Sequence, residues 1–175
     1  EKIMKKILFV VDDLGVGGLQ KIVEVISNSL IPITEVTKIY SHTTTKPFYN
    51  YNPIIQYRKI GILERYFRLF YLAINASYRF ISKNKKTIIS TRTHDLLGYL
   101  SRKDYDTLII TGSSVAEAYK IKKKFPNLNI ILWMHNNHDI YFNQYFSVVK
   151  DGLLASMISA DKIVVLTSED ETGYS

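Results

Sequence analysis

An α/β fold built on a doubly wound parallel sheet is what the sequence predicts, and three observations carry that expectation. Short, nearly continuous apolar runs at Ile7–Val11, Leu108–Ile110, Ile130–Met134 and Ile163–Leu166 have the pattern of strands covered on both faces. They alternate with segments of helical apolar spacing, the mark of βαβ units with helices on both sides of a sheet. The first run passes through a glycine loop into a helix, an arrangement that turns backbone N–H groups toward an anion.

The elements follow in order. Ile3 to Val11 reads as the first strand; its five apolar residues after the lysines are too few for a secretory h-region, which needs roughly 7–15. Leu19, Ile22, Val23, Ile26 and Leu30 lie on one face of a helix that Pro32 stops. Ile33 to Tyr40 is a second strand. His42 to Pro53, polar and aromatic with Pro47 and Pro53, reads as an exposed loop. Ile54 to Ile60 is a short strand, and Leu63 to Ile81 a long helix with Phe67, Phe70, Ile74 and Ile81 on one stripe. A short strand at Ile88–Ser90 and a helical turn at Asp95–Ser101 come next. Ser113 or Ser114 is placed to cap a helix over Val115–Lys124. Asp139 to Ala160 accommodates one or two helices. Ser168 with Glu171 three residues later has the form of a capping box. The chain stops at that helix start, which suits a piece of a longer protein.

At 175 residues and 46% hydrophobic, the chain has the size of a single domain. It has no cysteine, which points to a reducing, cytoplasmic setting. No run approaches the ~18 apolar residues of a membrane span. The net charge of +7 is concentrated: Arg58 to Lys86 holds eight basic residues against the single acid Glu64. Such asymmetry suits an anionic partner. Arg65, Arg68, Arg79 and Lys83 sit among aromatics there, and three readings stay open. The segment is a solvated surface helix, a basic amphipathic helix lying on the inner face of an anionic membrane, or a stacking surface for nucleobases. No nucleic-acid module is recognisable, so nucleic acid is not the expected partner.

The loop Asp12-Asp13-Leu14-Gly15-Val16-Gly17-Gly18-Leu19-Gln20-Lys21 is the first site candidate. Its spacing excludes the dinucleotide fingerprint, whose third glycine would fall at Gln20, and the P-loop, since no Gly-Lys-Ser/Thr follows. What remains is a phosphate-facing turn or a tight strand-to-helix turn without a ligand. His135 and His138 do not have metal-pair spacing and no Cys or acidic cluster completes a site, so no metal is expected. Asp12-Asp13 resembles the acidic pair of a response-regulator receiver, but the later strands end on Thr111 and Thr167 rather than on the required Asp and Lys. No Gly-x-Ser-x-Gly elbow supports a serine hydrolase.

Three segments together resemble family 4 glycosyltransferases of the two-domain B fold. The opening strand with Gly15-Val16-Gly17-Gly18 and Leu19-Gln20-Lys21 is similar to that family's start. Ile131-Leu132-Trp133-Met134-His135-Asn136 resembles its strand ending on a cleft histidine. Ala160-Asp161-Lys162 followed by Ile163–Leu166 and Thr167-Ser168 resembles the segment closing its amino-terminal domain. The resemblance implies a Rossmann-like amino-terminal, acceptor-side half spanning 1–175, with the carboxyl-terminal nucleotide-sugar-binding domain absent from this chain. It implies retaining transfer of a hexose from a nucleotide sugar, UDP-linked, to a glycan or lipid-linked acceptor, with neither metal nor other cofactor. Gly17 and Gly18 would lie at the diphosphate–sugar end of the donor and His135 beside the sugar; Gly15 would shape the turn, and Asn136 and Ser168 would be further binding residues. The piece alone would be inactive. The alternative is a non-catalytic Rossmann-like binding subunit of a split transferase.

Overall fold

The computed structural model describes residues 5–59, 62–82 and 90–174. The strand expected at Ile88–Ser90 lies outside them except for Ser90, as do Lys83 and the side chains of Arg65 and Arg79.

The elements in chain order are β1 (Lys6–Val11), α1 (Gly18–Leu30), a 3-10 turn (Ile31–Ile33), β2 (Val36–Ser41), β3 (Ile54–Tyr57), α2 (Ile62–Ser82), α3 (Thr91–Leu100) and β4 (Thr107–Ile110). A 3-10 segment (Gly112–Glu117), α4 (Ala118–Lys124) and β5 (Asn129–Trp133) follow. Then come α5 (His138–Ile140), a π-helical stretch (Tyr141–Tyr145), α6 (Lys150–Ser159), β6 (Lys162–Val164) and α7 (Ser168–Tyr174). The six strands form one sheet in the order β3-β2-β1-β4-β5-β6. Every pairing is parallel, with Val11 opposite Ser41 and Val10 opposite Ile110. The doubly wound sheet expected from the sequence is therefore present, and its order places the switch point between β1 and β4.

The pleat explains why β1 reads as a continuous apolar run. Leu8 and Val10 join a core with Leu96 and Leu100 of α3, Ile121 of α4 and Leu153 of α6. Phe9 and Val11 turn to the other face and pack with Leu14, Val23 of α1, Ile39 and Trp133. Successive side chains of a strand point to opposite faces, so a strand covered twice has no polar position to spare. The helices segregate as a doubly wound fold requires, α1 on one face and α3, α4 and α6 on the other.

Four expectations are corrected or qualified. The segment 42–53 is irregular and exposed along its middle, but it is anchored rather than free: His42 and Pro53 are buried, Phe48 N–H donates to Leu14 O, and the Tyr51 hydroxyl donates to Gln20 O at 2.9 Å. Its contacts with Gly17, Gln20 and Asn28 fasten it to α1. Ser113 and Ser114 do not cap a helix, because Thr111 precedes the 3-10 segment and both hydroxyls are engaged elsewhere. The cap at the last helix sits one residue earlier than expected. Thr167 Oγ1 accepts Asp170 N–H at 3.1 Å and donates to the Asp170 carboxylate at 2.9 Å, so Thr167 and Asp170 make the reciprocal pair and Ser168 is the first helical residue. Finally, the stripe expected to bury α2 is mostly outside: Phe67, Phe70 and Ile81 are exposed and only Ile74 is half-buried.

Asp161 illustrates how a motif residue can serve the fold. Its carboxylate accepts Ile130 N–H and the Lys122 ammonium, each at 2.7 Å, and these bonds hold its pKa below the usual carboxylate value. It pins the start of β6 to β5.

Candidate functional site

The carboxyl ends of β1, β4 and β5 open on a cleft of about 520 Å³. β1 delivers Asp12 and Asp13, β4 delivers Gly112 and Ser113, β5 delivers His135 and Asn136, and α1 closes one side with Gly18 and Gln20. Tyr51 and Tyr141 add aromatic walls. This is where an open parallel sheet places ligands, beside its switch point.

The glycine loop is held by its own acid. Asp13 Oδ1 accepts Gly15 N–H at 2.9 Å and the Gln20 amide at 3.2 Å. Gly15 is thus part of the turn and does not line the cleft. Gly17 precedes α1 in extended backbone (φ 169°), which any residue adopts, and no side chain caps the helix. A Cβ on Gly17 would meet only the flexible end of Gln20, and one on Gly18 would meet nothing within 4 Å. The fold itself requires neither residue to be glycine. Their effect is to leave the amino end of α1 open toward the cleft, with N–H groups unpaired and partially positive.

Gly112 is different. It has φ +66°, and a Cβ there would stand 2.5 Å from Asp12 Oδ2. The left-handed conformation turns the chain so that Ser113 N–H reaches Asp12 Oδ2 at 2.8 Å and Ser113 Oγ donates to Asp12 Oδ1 at 2.6 Å. Arg92 Nη1 donates to Ser113 Oγ at 2.9 Å and lies 3.5 Å from Asp12. Asp12 is thereby fixed across the switch point.

His135 is fixed by Tyr141, six residues on and fully buried. The Tyr141 hydroxyl accepts His135 backbone N–H at 3.3 Å and lies 2.9 Å from His135 Nδ1. In the tautomer that carries its proton on Nε2, the Tyr141 hydroxyl donates to Nδ1 and Nε2–H is left as a donor. Burial lowers the His135 pKa, with Asp12 opposing, so the ring is neutral at pH 7. The Tyr141 phenol is pushed up to about 12, mainly by burial.

A second histidine sits behind the cleft. His42 Nε2 and Ser114 Oγ are 2.7 Å apart, both buried, and Nδ1 has no partner. Burial, with Arg92 and Arg58 assisting against Asp12, lowers its pKa to about 4. It joins the end of β2 to the segment after β4.

Of the residues singled out in the sequence, Gly18, His135 and Asn136 line the cleft together and Gly17 adjoins it; Ser168, exposed at the start of α7, does not line it. Arg68, on α2, does not line it either; it lines neighbouring cavities, one shared with β3 and α3 and one with Arg92, Ser113 and Ser114. Sequence reasoning missed Gly112, Ser113, Arg92 and Tyr141. A glycine directly after an apolar strand was the available signal for Gly112; nothing local marks Arg92, which meets Asp12 from 80 residues away. Among the described residues no Lys or Arg lines the cleft, although Arg92 reaches Asp12 and Ser113 from beside it. Among the described residues no group of three or more His, Cys, Asp or Glu is placed to hold a metal ion, and no helix is long and apolar enough to cross a membrane.

No protein-family model matches the chain, and no curated protein matches it by sequence. Solved structures do match. The Candida albicans trehalose-6-phosphate phosphatase N-terminal domain superposes with TM-score 0.52 at 14% identity, over 99% of this chain and 42% of that one. Phytolacca americana UGT2, solved with UDP-2-fluoro-glucose and pterostilbene, superposes with TM-score 0.52 at 12% identity, over 97% of this chain and 49% of that one. At such identities the likeness is one of fold: a Rossmann-like sheet of the kind found in a half of a B-fold glycosyltransferase. The chain spans less than half the length of either structure.

Proposed function

We propose that the chain is the amino-terminal, acceptor-side half of a retaining glycosyltransferase of the family 4 type, and that the cleft at the switch point is one wall of its active site. The observation that carries this reading is the meeting, in one cleft, of a glycine the fold does not need (Gly18, with Gly17 adjoining), a fixed neutral histidine and a fixed carboxylate. The likeness in fold to a glycosyltransferase solved with a UDP-sugar analogue supports it.

The character of the wall refines the roles. With Asp12 and Asp13 in it and no Lys or Arg lining it among the described residues, the wall favours sugar hydroxyls over free phosphate charge. Asp12 and Asn136 suit hydroxyl recognition, and His135 Nε2–H donates to a hydroxyl of the transferred hexose. The diphosphate of a UDP-linked donor meets the open end of α1 at Gly17 and Gly18, and draws its remaining countercharge from the carboxyl-terminal domain. Charge developing on the sugar is met by the leaving phosphate oxygens and fixed cleft dipoles, with no metal and no protein nucleophile. The acceptor is a glycan or a lipid-linked sugar, placed between the two domains on the cytoplasmic side.

The test is hexose transfer by the complete gene product. His135→Ala is expected to lower kcat about 10²-fold, the cost of one preorganised donor. Tyr141→Phe keeps the ring but frees the imidazole and should cost about tenfold in kcat with KM little changed, roughly one neutral hydrogen bond. Wild-type turnover by His135→Ala would refute the assignment.

A further inference from the structure

We infer that α2 lies on the surface of an anionic lipid bilayer, with its apolar stripe in the interface. The argument begins with which side of the helix faces the protein. Asn75 is buried, and Tyr71 and Ile74 are half-buried, so the inward face carries a polar residue at its centre. The opposite face repeats at three- and four-residue spacing through Tyr66, Leu69, Phe70, Ala73 and Phe80, with Ile81 beside it. Tyr66 is 70% exposed, Phe80 89% and Ile81 81%. A soluble surface helix has the reverse arrangement, apolar side in and polar side out. Large apolar side chains in a contiguous exposed stripe mark an interaction surface.

Charge selects the occupant. The segment from Arg58 to Lys86 holds eight basic residues and one acid. Beside α2, a cavity of about 750 Å³ is lined by Arg58, Lys59, Arg68, Arg102 and Lys103. Its single carboxylate, Asp95, is paired with Arg58. Two copies of this face in a symmetric dimer would set two basic patches against each other, at a cost. A bilayer with anionic headgroups satisfies both features: the stripe enters the headgroup–acyl boundary, and Arg68, on the flank of α2 between the stripe and the cavity, offers a cation to lipid phosphates. The inference rests on α2 and its neighbours alone and stands whether or not the cleft transfers sugar.

Co-sedimentation tests it, using vesicles of equal parts phosphatidylglycerol and phosphatidylcholine, and vesicles of phosphatidylcholine alone, each at low and high salt. The protein should pellet with the anionic vesicles at low salt and stay largely in solution with the neutral ones. Arg68→Glu should weaken partition at least about fivefold, given roughly 1 kcal/mol per basic residue near such a surface. Phe80→Asp, at a side chain too exposed to affect folding, should weaken it more than about tenfold while circular dichroism stays unchanged. Failure to pellet at low salt would overturn the inference. So would equal pelleting of Phe80→Asp and wild type, or a dimer by light scattering that Phe80→Asp dissociates and anionic vesicles do not.

Discussion

His42 and Ser114 show how much of this molecule is decided by single contacts between residues far apart in sequence. A buried neutral imidazole bonded to a buried hydroxyl ties β2 to the segment after β4, and protonation there has a calculable consequence. The folded-state pKa is about 4 against an ordinary 6.5, so the native state binds the proton more weakly than the unfolded chain does. The stabilisation is fully present above pH 6.5 and is lost as pH falls from there toward 4, by roughly 3 kcal/mol over that window. Urea unfolding between pH 7 and pH 4 should therefore show a steeper acid loss in wild type than in His42→Gln, which has no proton to take up. Parallel curves for the two proteins would remove His42 from the account. His135 was legible in the sequence because it ends an apolar strand. His42 was not, since the loop it opens is polar and aromatic in composition, and only the packed structure shows that its first residue is interior.

At the scale of elements, the strands were legible and the turns after them only in part. Doubly covered strands leave an apolar run that local reading detects, and helices leave a period near 3.6. The turns at the ends of β1 and β4 are shaped instead by Asp12 and Asp13, and the same residue type does opposite work in them. Gly112→Ala puts a Cβ into a left-handed position and against Asp12, so it should cost about 2 kcal/mol or more in unfolding free energy. Gly18→Ala meets no atom within 4 Å and replaces glycine in a helix, so it should leave stability unchanged or raise it by up to ~1 kcal/mol. Its methyl group nonetheless enters the cleft, and nucleotide-sugar binding should fall. Equilibrium denaturation of both variants, with donor titration of the second, checks the contrast; a destabilised Gly18→Ala would mean that this glycine serves the fold. The long helix α2 was legible as a helix but not in its orientation. Periodicity shows that a stripe exists, and the rest of the fold decides whether it turns inward.

At the scale of the whole molecule, the sheet order β3-β2-β1-β4-β5-β6 brings the chemistry of the cleft to its carboxyl edge, while the basic helix α2 lines cavities shared with β3, with α3 and with the segment after β4. The two features differ in character: a cleft with two carboxylates, a neutral histidine and, among the described residues, no lining Lys or Arg, and a helix surface that is cationic and apolar. On the two proposals made above, the chain would approach its acceptor from a membrane surface and meet its donor at the switch point. A single wall of such a cleft binds weakly, so the central claim needs a method that registers weak binding residue by residue. An amide-resolved NMR titration with UDP-glucose up to about 10 mM detects interactions down to roughly 3 kcal/mol. The account predicts shifts concentrated at Gly17, Gly18, Ser113, His135 and Asn136 and reduced in Gly18→Ala. Shifts confined to the α2 and α3 region, or none anywhere at saturation of the method, would contradict it.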